Sequence, residues 1–455
     1  MPTDPVPDLL SRAAELLQRE FADLPAWEPA AIDERAPGIL ADVAHRLGDN
    51  YPYFHPLYAG QMLKPPHPLA RAAYTLAMSI NPNNHARDGG RASSEMEIEA
   101  VRQIAVMFGW TGYLGHLTSS GTLANLEALW VAGQLAQPGG RSRIVGSEQA
   151  HYTHQRISAV LRLNYTAIAA DQAGRMDLSA LETELRRGDV GTVVVTLGTT
   201  AIGAVDPLDQ IVALRDRYGF RIHVDAAYGG YFKLIPEALD APAQRAFAVV
   251  DQADSIVIDP HKHGLQPYGC GCVLFRDPSV GRFYKHDSPY TYFTSNQLHL
   301  GEISLECSRA GAAAVALWAT HQLLPPVPGG EFARGLAQGR AAALDLDRRL
   351  RADARFEPLA AGPPELDIVA WKLKANAPEE SSHLAQQVFD ACAAQHLHLA
   401  LVQLPLSWFV PAKNDANSDA QVTCLRSVLM KPEHQAWLDQ IWQKLSAACA
   451  EVSPQ

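Results

Sequence analysis

The sequence predicts an α/β fold: a large domain built on a mostly parallel sheet, followed by a small α+β C-terminal domain. Between Gly109 and about Arg276, short apolar runs alternate with helical segments, the pattern that gives a parallel sheet covered by helices on both faces. Leu324-Pro-Pro-Val-Pro-Gly-Gly330 then breaks an Ala-rich helix. Beyond that break, helices mix with isolated short strands. At 455 residues the chain is too long for one compact core. The expected divisions are an N-terminal helical arm over 1–75, a large domain over 76–328 and a small domain over 329–455.

The elements follow in order. Leu9, Leu10, Ala13, Leu16, Leu17 and Phe21 recur at helical spacing and predict an amphipathic helix over Asp8–Leu24. Tyr51–Pro68, rich in aromatics and prolines, reads as an ordered extended arm suited to packing or to a subunit contact. Ser79–Ser94 is a polar loop, and Ser93 or Ser94 with Glu97 predicts the N-cap of a helix over Glu95–Phe108. Strands are expected at Arg143–Val145, Thr166–Ala169, Thr192–Leu197, Arg221–Val224, Ser255–Ile258 and Cys272–Phe275. Helices are expected at Asn125–Gln134, Ser179–Arg187, Leu208–Tyr218, Ala241–Ala248 and Ala310–Leu324. In the small domain, Leu366–Leu373 and Val422–Leu429 read as strands.

Composition excludes several classes. Apolar residues at 47% and charged residues at 19% describe an ordinary globular chain. A net charge of −11 argues against nucleic acid or an anionic membrane surface as the main partner. The six cysteines are too scattered for a disulfide framework, and Cys270-Gly-Cys272 lacks zinc-site spacing. No metal is expected, and reduced thiols fit a cytoplasmic protein. The N-terminus lacks the features of a signal peptide, and no run reaches the length of a membrane span.

Five features at strand ends or turns carry chemistry. His116-Leu-Thr-Ser-Ser-Gly-Thr-Leu-Ala-Asn125 is a Ser/Gly-rich turn leading into a helix, where backbone N–H groups and the Ser119, Ser120 and Thr122 hydroxyls suit an anion such as phosphate. On its own such a turn is more often a simple cap. His151 follows the Arg143–Val145 strand, and Thr196-Leu-Gly-Thr-Thr200 follows Val193–Val195. Asp225, in His223-Val-Asp-Ala-Ala-Tyr-Gly-Gly230, ends an apolar strand and is followed by small residues that let a flat group approach. A carboxylate there needs a buried cationic partner or an exit to solvent. Lys262, between His261 and His263, stands just past Ser255–Ile258 in a loop loosened by Gly264, Pro267, Gly269 and Gly271. An isolated lysine in a turn is ordinarily a surface residue. Together, a phosphate cradle, a carboxylate for a ring nitrogen, a small-residue floor and a lysine able to bond a carbonyl describe a pyridoxal phosphate site.

These stretches resemble the group II pyridoxal-dependent amino acid decarboxylases, the family of aromatic-amino-acid, glutamate, histidine and archaeal tyrosine/aspartate decarboxylases. The resemblance rests on Thr118–Asn125, Gln149-Ala-His151, Leu197-Gly-Thr-Thr200, His223–Gly229 and Asp259-Pro-His-Lys262, and it is clearest over roughly residues 50–330. It implies fold type I, the aspartate aminotransferase type, with the cofactor in the large domain. It also implies a homodimer with sites at the subunit interface and an arm that makes dimer contacts. Lys262 would bond the cofactor covalently and Asp225 would pair with its ring nitrogen. His151 would stack on one ring face, and Ala227 would pack on the other. Ser120, Gly121, Thr122 and His261 would hold the phosphate, with Thr200 near the ring. Arg426 would grip the α-carboxylate of an amino acid substrate.

A mobile-loop tyrosine acts as proton donor in this family. The corresponding region here is Lys285–Ser295, with Tyr290 and Tyr292 as alternatives. Glu306-Cys-Ser-Arg-Ala-Gly311 is closer to the archaeal decarboxylases and the sphingosine phosphate lyases than to the animal enzymes. The expected activity is decarboxylation of an L-amino acid to its amine and CO2. Aromatic substrates such as tyrosine or DOPA are favoured, through Tyr51, Tyr53, Phe54 and Tyr58. Asn83 and His85, with Asn84 and Arg87, could instead recognise an acidic side chain. An aldehyde synthase, a carbon–carbon lyase and a catalytically silent scaffold are the competing expectations; Lys262, Asp225 and His151 argue against the last.

Overall fold

Seven strands form the larger sheet: β1 (Leu114–Thr118), β2 (Arg143–Ser147), β3 (Tyr165–Ile168), β4 (Val190–Thr196), β5 (Arg221–Asp225), β6 (Ser255–Ile258) and β7 (Gly271–Phe275). They stand in the order β1-β7-β6-β5-β4-β2-β3 in a computed structural model that describes residues 4–136, 140–285, 303–409 and 420–452. From β6 to β3 all neighbours are parallel. Only β7 runs the other way, antiparallel to both β1 and β6. Every residue of β6 and nearly every residue of β4 is buried, because helices cover both faces. Such strands read as unbroken apolar runs rather than alternating ones.

Ahead of the sheet come α1 (Val6–Glu20), α2 (Ala36–Leu47), α3 (Pro68–Met78) and α4 (Arg91–Met107). Within it the connections are α5 (Gly121–Leu135), α6 (Thr153–Val160), α7 (Leu178–Leu185), α8 (Leu208–Tyr218) and α9 (Ala241–Ala248). After it, α10 (Gly311–Leu323) packs back on α3 and α4, and α11 (Glu331–Ala352) leads into the small domain. There β8 (Phe356–Pro358), β9 (Ile368–Leu373), β10 (Ala400–Pro405) and β11 (Gln421–Val428) form an antiparallel sheet in the order β10-β11-β9-β8. Helices α12 (Pro378–Ala394) and α13 (His434–Val452) pack together against it. The arm ties itself to this sheet through main-chain bonds: Ala59 N–H to His398 O (2.9 Å), His398 N–H to Leu57 O (2.9 Å) and Val428 N–H to Ala59 O (2.7 Å).

Three expectations change. The stretch His116–Asn125, expected as a turn leading into a helix, divides differently: its first three residues end β1 at Thr118, a two-residue turn follows, and α5 starts at Gly121 rather than Asn125. Ser93 and Ser94 do not cap α4 but lie inside its first turn, and Gly90 holds the N-cap position. A Cβ at Gly90 would stand 2.6 Å from Asn84 Oδ1, so no capping side chain fits there. The first helix ends at Glu20, and a second, α2, follows it. No helix among the described residues is long and apolar enough to cross a membrane, and those residues form no cluster of metal-ligating side chains.

Candidate active site

Five strands end at one edge of the sheet, and each delivers a side chain to the same place. Loops beyond β1, β2, β4, β5 and β6 line a cavity of about 200 Å3 with Ser120, Gly121, Thr122, His151, Thr196, Thr200, Asp225, Ala227, His261 and Lys262. Ligands of open α/β sheets bind beyond the strands' C-terminal ends.

At the start of α5 the Ser120 hydroxyl accepts from Leu123 N–H at 3.2 Å, while Gly121 and Thr122 N–H have no acceptor among the described bonds. Two unpaired N–H groups at a helix N-terminus attract an anion. A Cβ on Gly121 would come within 2.5 Å of Asp259 Oδ2, so only glycine lets the helix start this close to β6. Lys262 Nζ lies 3.2 Å from that carboxylate. His261, which also lines the cavity, donates from Nδ1 to Cys270 O at 2.7 Å, and its Nε2 stands 3.5 Å from Asp259 Oδ2.

Asp225 is 4% exposed. Burial alone would raise its carboxyl, but the His154 hydrogen bond and charge, Lys262 and the Ala227 N–H outweigh it and hold the group well below the ordinary carboxylate range. His154 Nε2 donates to Oδ2 at 2.8 Å, Ala227 N–H to Oδ1 at 3.1 Å, and Asn125 Nδ2 to Oδ2 at 3.3 Å. Asn125 Oδ1 accepts from His223 Nε2 at 2.8 Å, and His223 Nδ1 meets Ser255 Oγ at 2.9 Å. Burial draws His223 down to about 3, so it is neutral and serves as a spacer. Asn125 is the last residue of the turn motif, without an assigned role there. The part played by His154 escapes sequence reasoning; its one signal is the three-residue spacing from His151.

His151 is half-buried, and burial lowers its pKa. The Thr153 hydroxyl lies 2.7 Å from its Nδ1, and Thr153 N–H also points there at 3.4 Å. The main-chain N–H can only donate, so Nδ1 accepts and the ring proton sits on Nε2. The same ring borders a neighbouring cavity of about 400 Å3, lined also by Gln61, Glu148, Tyr152, Thr200, Leu401, Val402 and Arg426. Arg426 projects from β11, 4% exposed, and spans the domains: Nε to Ala201 O (2.9 Å), Nη2 to Thr200 O (2.7 Å), Nη1 to Gln61 Oε1 (2.9 Å). Among the described bonds, each terminal nitrogen keeps one N–H unused, a pair that matches a carboxylate.

The remaining candidates stand elsewhere. Asn83 and His85 do not line either cavity of their own chain; Asn83 Oδ1 accepts from His85 and Arg309 N–H, and its amide donates to Ser308. Tyr51, Tyr53 and Tyr58 cluster with His398 on the small domain. Tyr290 and Tyr292 lie outside the described residues. The Ser-Arg-x-Gly segment braces the cradle: Arg309 bonds Glu97 (2.6 Å) and Leu117 O (2.7 Å), and Glu306 accepts from Ser119 N–H (2.9 Å).

The cavity fits pyridoxal phosphate. Thr196 Oγ1 and Asp259 Oδ1 are buried without partners, the open N–H pair awaits an anion, and an ionised Asp225 faces the space with no cation but Lys262 lining it.

A family model described as the pyridoxal-dependent decarboxylase conserved domain matches residues 39–374. The L-tyrosine decarboxylase of Enterococcus faecium is 28% identical over 63% of this chain and 63% of its own length. The probable L-tyrosine/L-aspartate decarboxylase of Methanothermobacter thermautotrophicus is 29% identical over 70% of this chain and 84% of its own. The chain spans less than two-thirds of the E. faecium and Levilactobacillus brevis tyrosine decarboxylases, 63% and 65% of their lengths. Among solved structures, Oryza sativa TDC with PLP and tryptamine matches with a TM-score of 0.79 at 17% identity, over 99% of each chain. Mouse CSAD in apo form matches at 0.77 and 21% identity, over 95% of this chain and 91% of that one. These two share the fold.

Proposed function

Because the chain belongs to the pyridoxal-dependent decarboxylase family, we propose that it removes the α-carboxyl group of an L-amino acid, releasing CO2 and an amine. One observation carries this reading. Lys262 and an ionised Asp225 share one cavity, and His151 separates it from a second that ends at the Arg426 guanidinium.

Pyridoxal phosphate, when bound, supplies the electron sink that takes up the pair left by the departing carboxyl group. Lys262 would attach it, the Gly121 and Thr122 N–H groups with Ser120 and His261 would hold its phosphate, and Asp225 would pair with its ring nitrogen between His151 and Ala227. The Asp225 carboxylate, supported by His154 and Asn125, stays charged and so would favour the protonated form of a ring nitrogen paired with it. Arg426 binds the substrate carboxylate through its two unused N–H groups and fixes its direction; Thr200 O and Ala201 O hold the guanidinium still. His151, which lines both cavities and carries a proton on Nε2, would be placed to deliver it to the carbon that loses the carboxyl group. Tyr290 or Tyr292 would share that role.

The substrate we infer is aromatic, as the names of the tyrosine decarboxylase relatives suggest. If Arg426 takes the α-carboxylate, the adjoining cavity offers an acidic side chain no second cation among its lining residues, only Glu148. Leu401, Val402 and Tyr152 suit a ring instead. We also infer a homodimer, since α2 buries none of its residues and leaves Ile39, Leu40, Val43 and Leu47 exposed. A cytoplasmic location agrees with six free cysteines, five of them buried.

An amino-acid panel on cofactor-loaded protein, read as CO2 release and product mass, tests the proposal. Tyrosine or DOPA should give one CO2 and one amine. Turnover of glutamate or aspartate alone overturns the substrate class. Aldehyde with ammonia and peroxide overturns the reaction type.

A further inference from the structure

Lys262 and His263 are consecutive, yet they line different cavities. The second is the larger, about 600 Å3, and is walled by the arm from Lys64 to Pro68, by α11 and by the segment Met430–Glu433 that follows β11. Its charge is layered. Lys431, 3% exposed, and the part-buried Lys64 stand inside, while Glu331, Arg334 and Glu433 are exposed around the opening.

Neither inner lysine has a carboxylate within 4 Å among the described residues. Lys64 Nζ donates to Met430 O at 3.3 Å, and Lys431 Nζ donates to Tyr58 O at 2.6 Å with the Tyr58 ring 5.2 Å away. Of six ammonium N–H groups, two therefore have acceptors. His263 is 1% exposed, lines the same cavity, and has no hydrogen-bond partner at either ring nitrogen. Asp367 and Glu433 act on these lysines only from beyond 4 Å, so four open ammonium N–H groups and an imidazole without a hydrogen bond surround a volume that an anion would complete.

We propose that this cavity is a second ligand site, in which Lys64 and Lys431 bind the carboxylate or phosphate group of a small anionic metabolite. Burial draws Lys64 down to about 8 and Lys431 to about 7, so an anion between them would restore the charged forms it binds. A short chain of contacts joins this cavity to the catalytic one. His263 Nε2 is 3.4 Å from Asp367 Oδ2, and Asp367 accepts from the hydroxyl of Tyr228, which lines the active cavity.

The test uses cofactor-loaded protein titrated calorimetrically with sodium phosphate and, separately, sodium succinate at constant ionic strength. Saturable one-to-one binding of either anion is expected, with Lys431→Met and Lys64→Met each weakening it at least tenfold and Lys431→Arg restoring most of it. Cofactor absorbance and amino acid turnover should persist in all three variants, which separates this site from the catalytic one. Tighter phosphate binding assigns a phosphorylated ligand, and tighter succinate binding a carboxylate. No saturation by either anion up to tens of millimolar, or equal affinity in the methionine variants, overturns the proposal.

Discussion

Asp225 is an acid whose ionisation is built rather than inherited. Its depressed pKa means that its contribution is complete above the ordinary carboxylate range and is lost only as pH falls through the lower folded value. Removing His154 takes away the strongest opposing influence. His154→Gln should therefore move the acid limb of the cofactor's absorbance profile to higher pH and lower turnover about 10- to 100-fold, the worth of one hydrogen bond to a charged group. An unchanged profile would mean that His154 only fills space. Lys262 permits a direct check: reduction with borohydride should add the cofactor's mass to the native chain and leave Lys262→Ala unlabelled.

At the scale of elements, spacing between strand ends decides what the cavity can hold. Gly121→Ala would drive a methyl into the Asp259 carboxylate, and relief by shifting α5 should weaken cofactor binding by about 1–3 kcal/mol, roughly 5- to 150-fold, measurable by fluorescence titration. A second brace joins β4 to the segment before α7: the Asp206 carboxyl accepts from Thr196 N–H (2.8 Å) and Met176 N–H (2.7 Å). Burial pushes Asp206 up to about 7 from an ordinary 3.8. The folded chain thus keeps a proton that the unfolded chain has released, and this group's contribution to stability falls as pH rises between those values. Asp206→Asn turns an amide toward one of the N–H groups, at a cost of about 1–3 kcal/mol. The wild type's lead in urea midpoint over the variant should shrink as pH rises through the same interval; a constant lead would refute the assignment.

These elements also show how far a sequence can be read. Asp225 was legible as a carboxylate ending an apolar strand, where a charge needs a partner, and Lys262 as an amine in the Gly/Pro-rich loop just past Ser255–Ile258, each gaining weight from the other motifs. β1 was not, since Gly115 and His116 interrupt its apolar character while β7 and α4 bury it. The antiparallel course of β7 was equally hidden, because a strand buried on both faces has the same composition in either direction. His154 looked like any helical histidine until β5 was laid beside it.

At the scale of the molecule, the site joins parts that are far apart in the chain. Arg426 reaches from the small sheet to the β4 loop and to Gln61 of the arm, so Arg426→Gln should raise KM about 10- to 100-fold with a smaller effect on kcat. Steady-state kinetics against the best substrate of the panel decides this. A paired subunit would cover the exposed Leu16, Trp27 and Leu40, and light scattering should give twice the 49.4 kDa of one chain. Leu40→Asp should shift that equilibrium toward the monomer, and a wild-type monomer would refute the dimer.

The antiparallel strand has a last consequence, in time rather than space. The loop that cradles the anion hangs from β1, whose ladder partner is β7, roughly 150 residues further along. At about 5–20 residues per second a ribosome needs on the order of 10–30 s to make that stretch. Until β7 emerges, β1 has nothing to pair with, and loop closure over that distance slows the pairing further. Midway through synthesis the anion loop therefore hangs from an unpaired strand, and a product truncated before β7 should lack the ladder that holds the cradle.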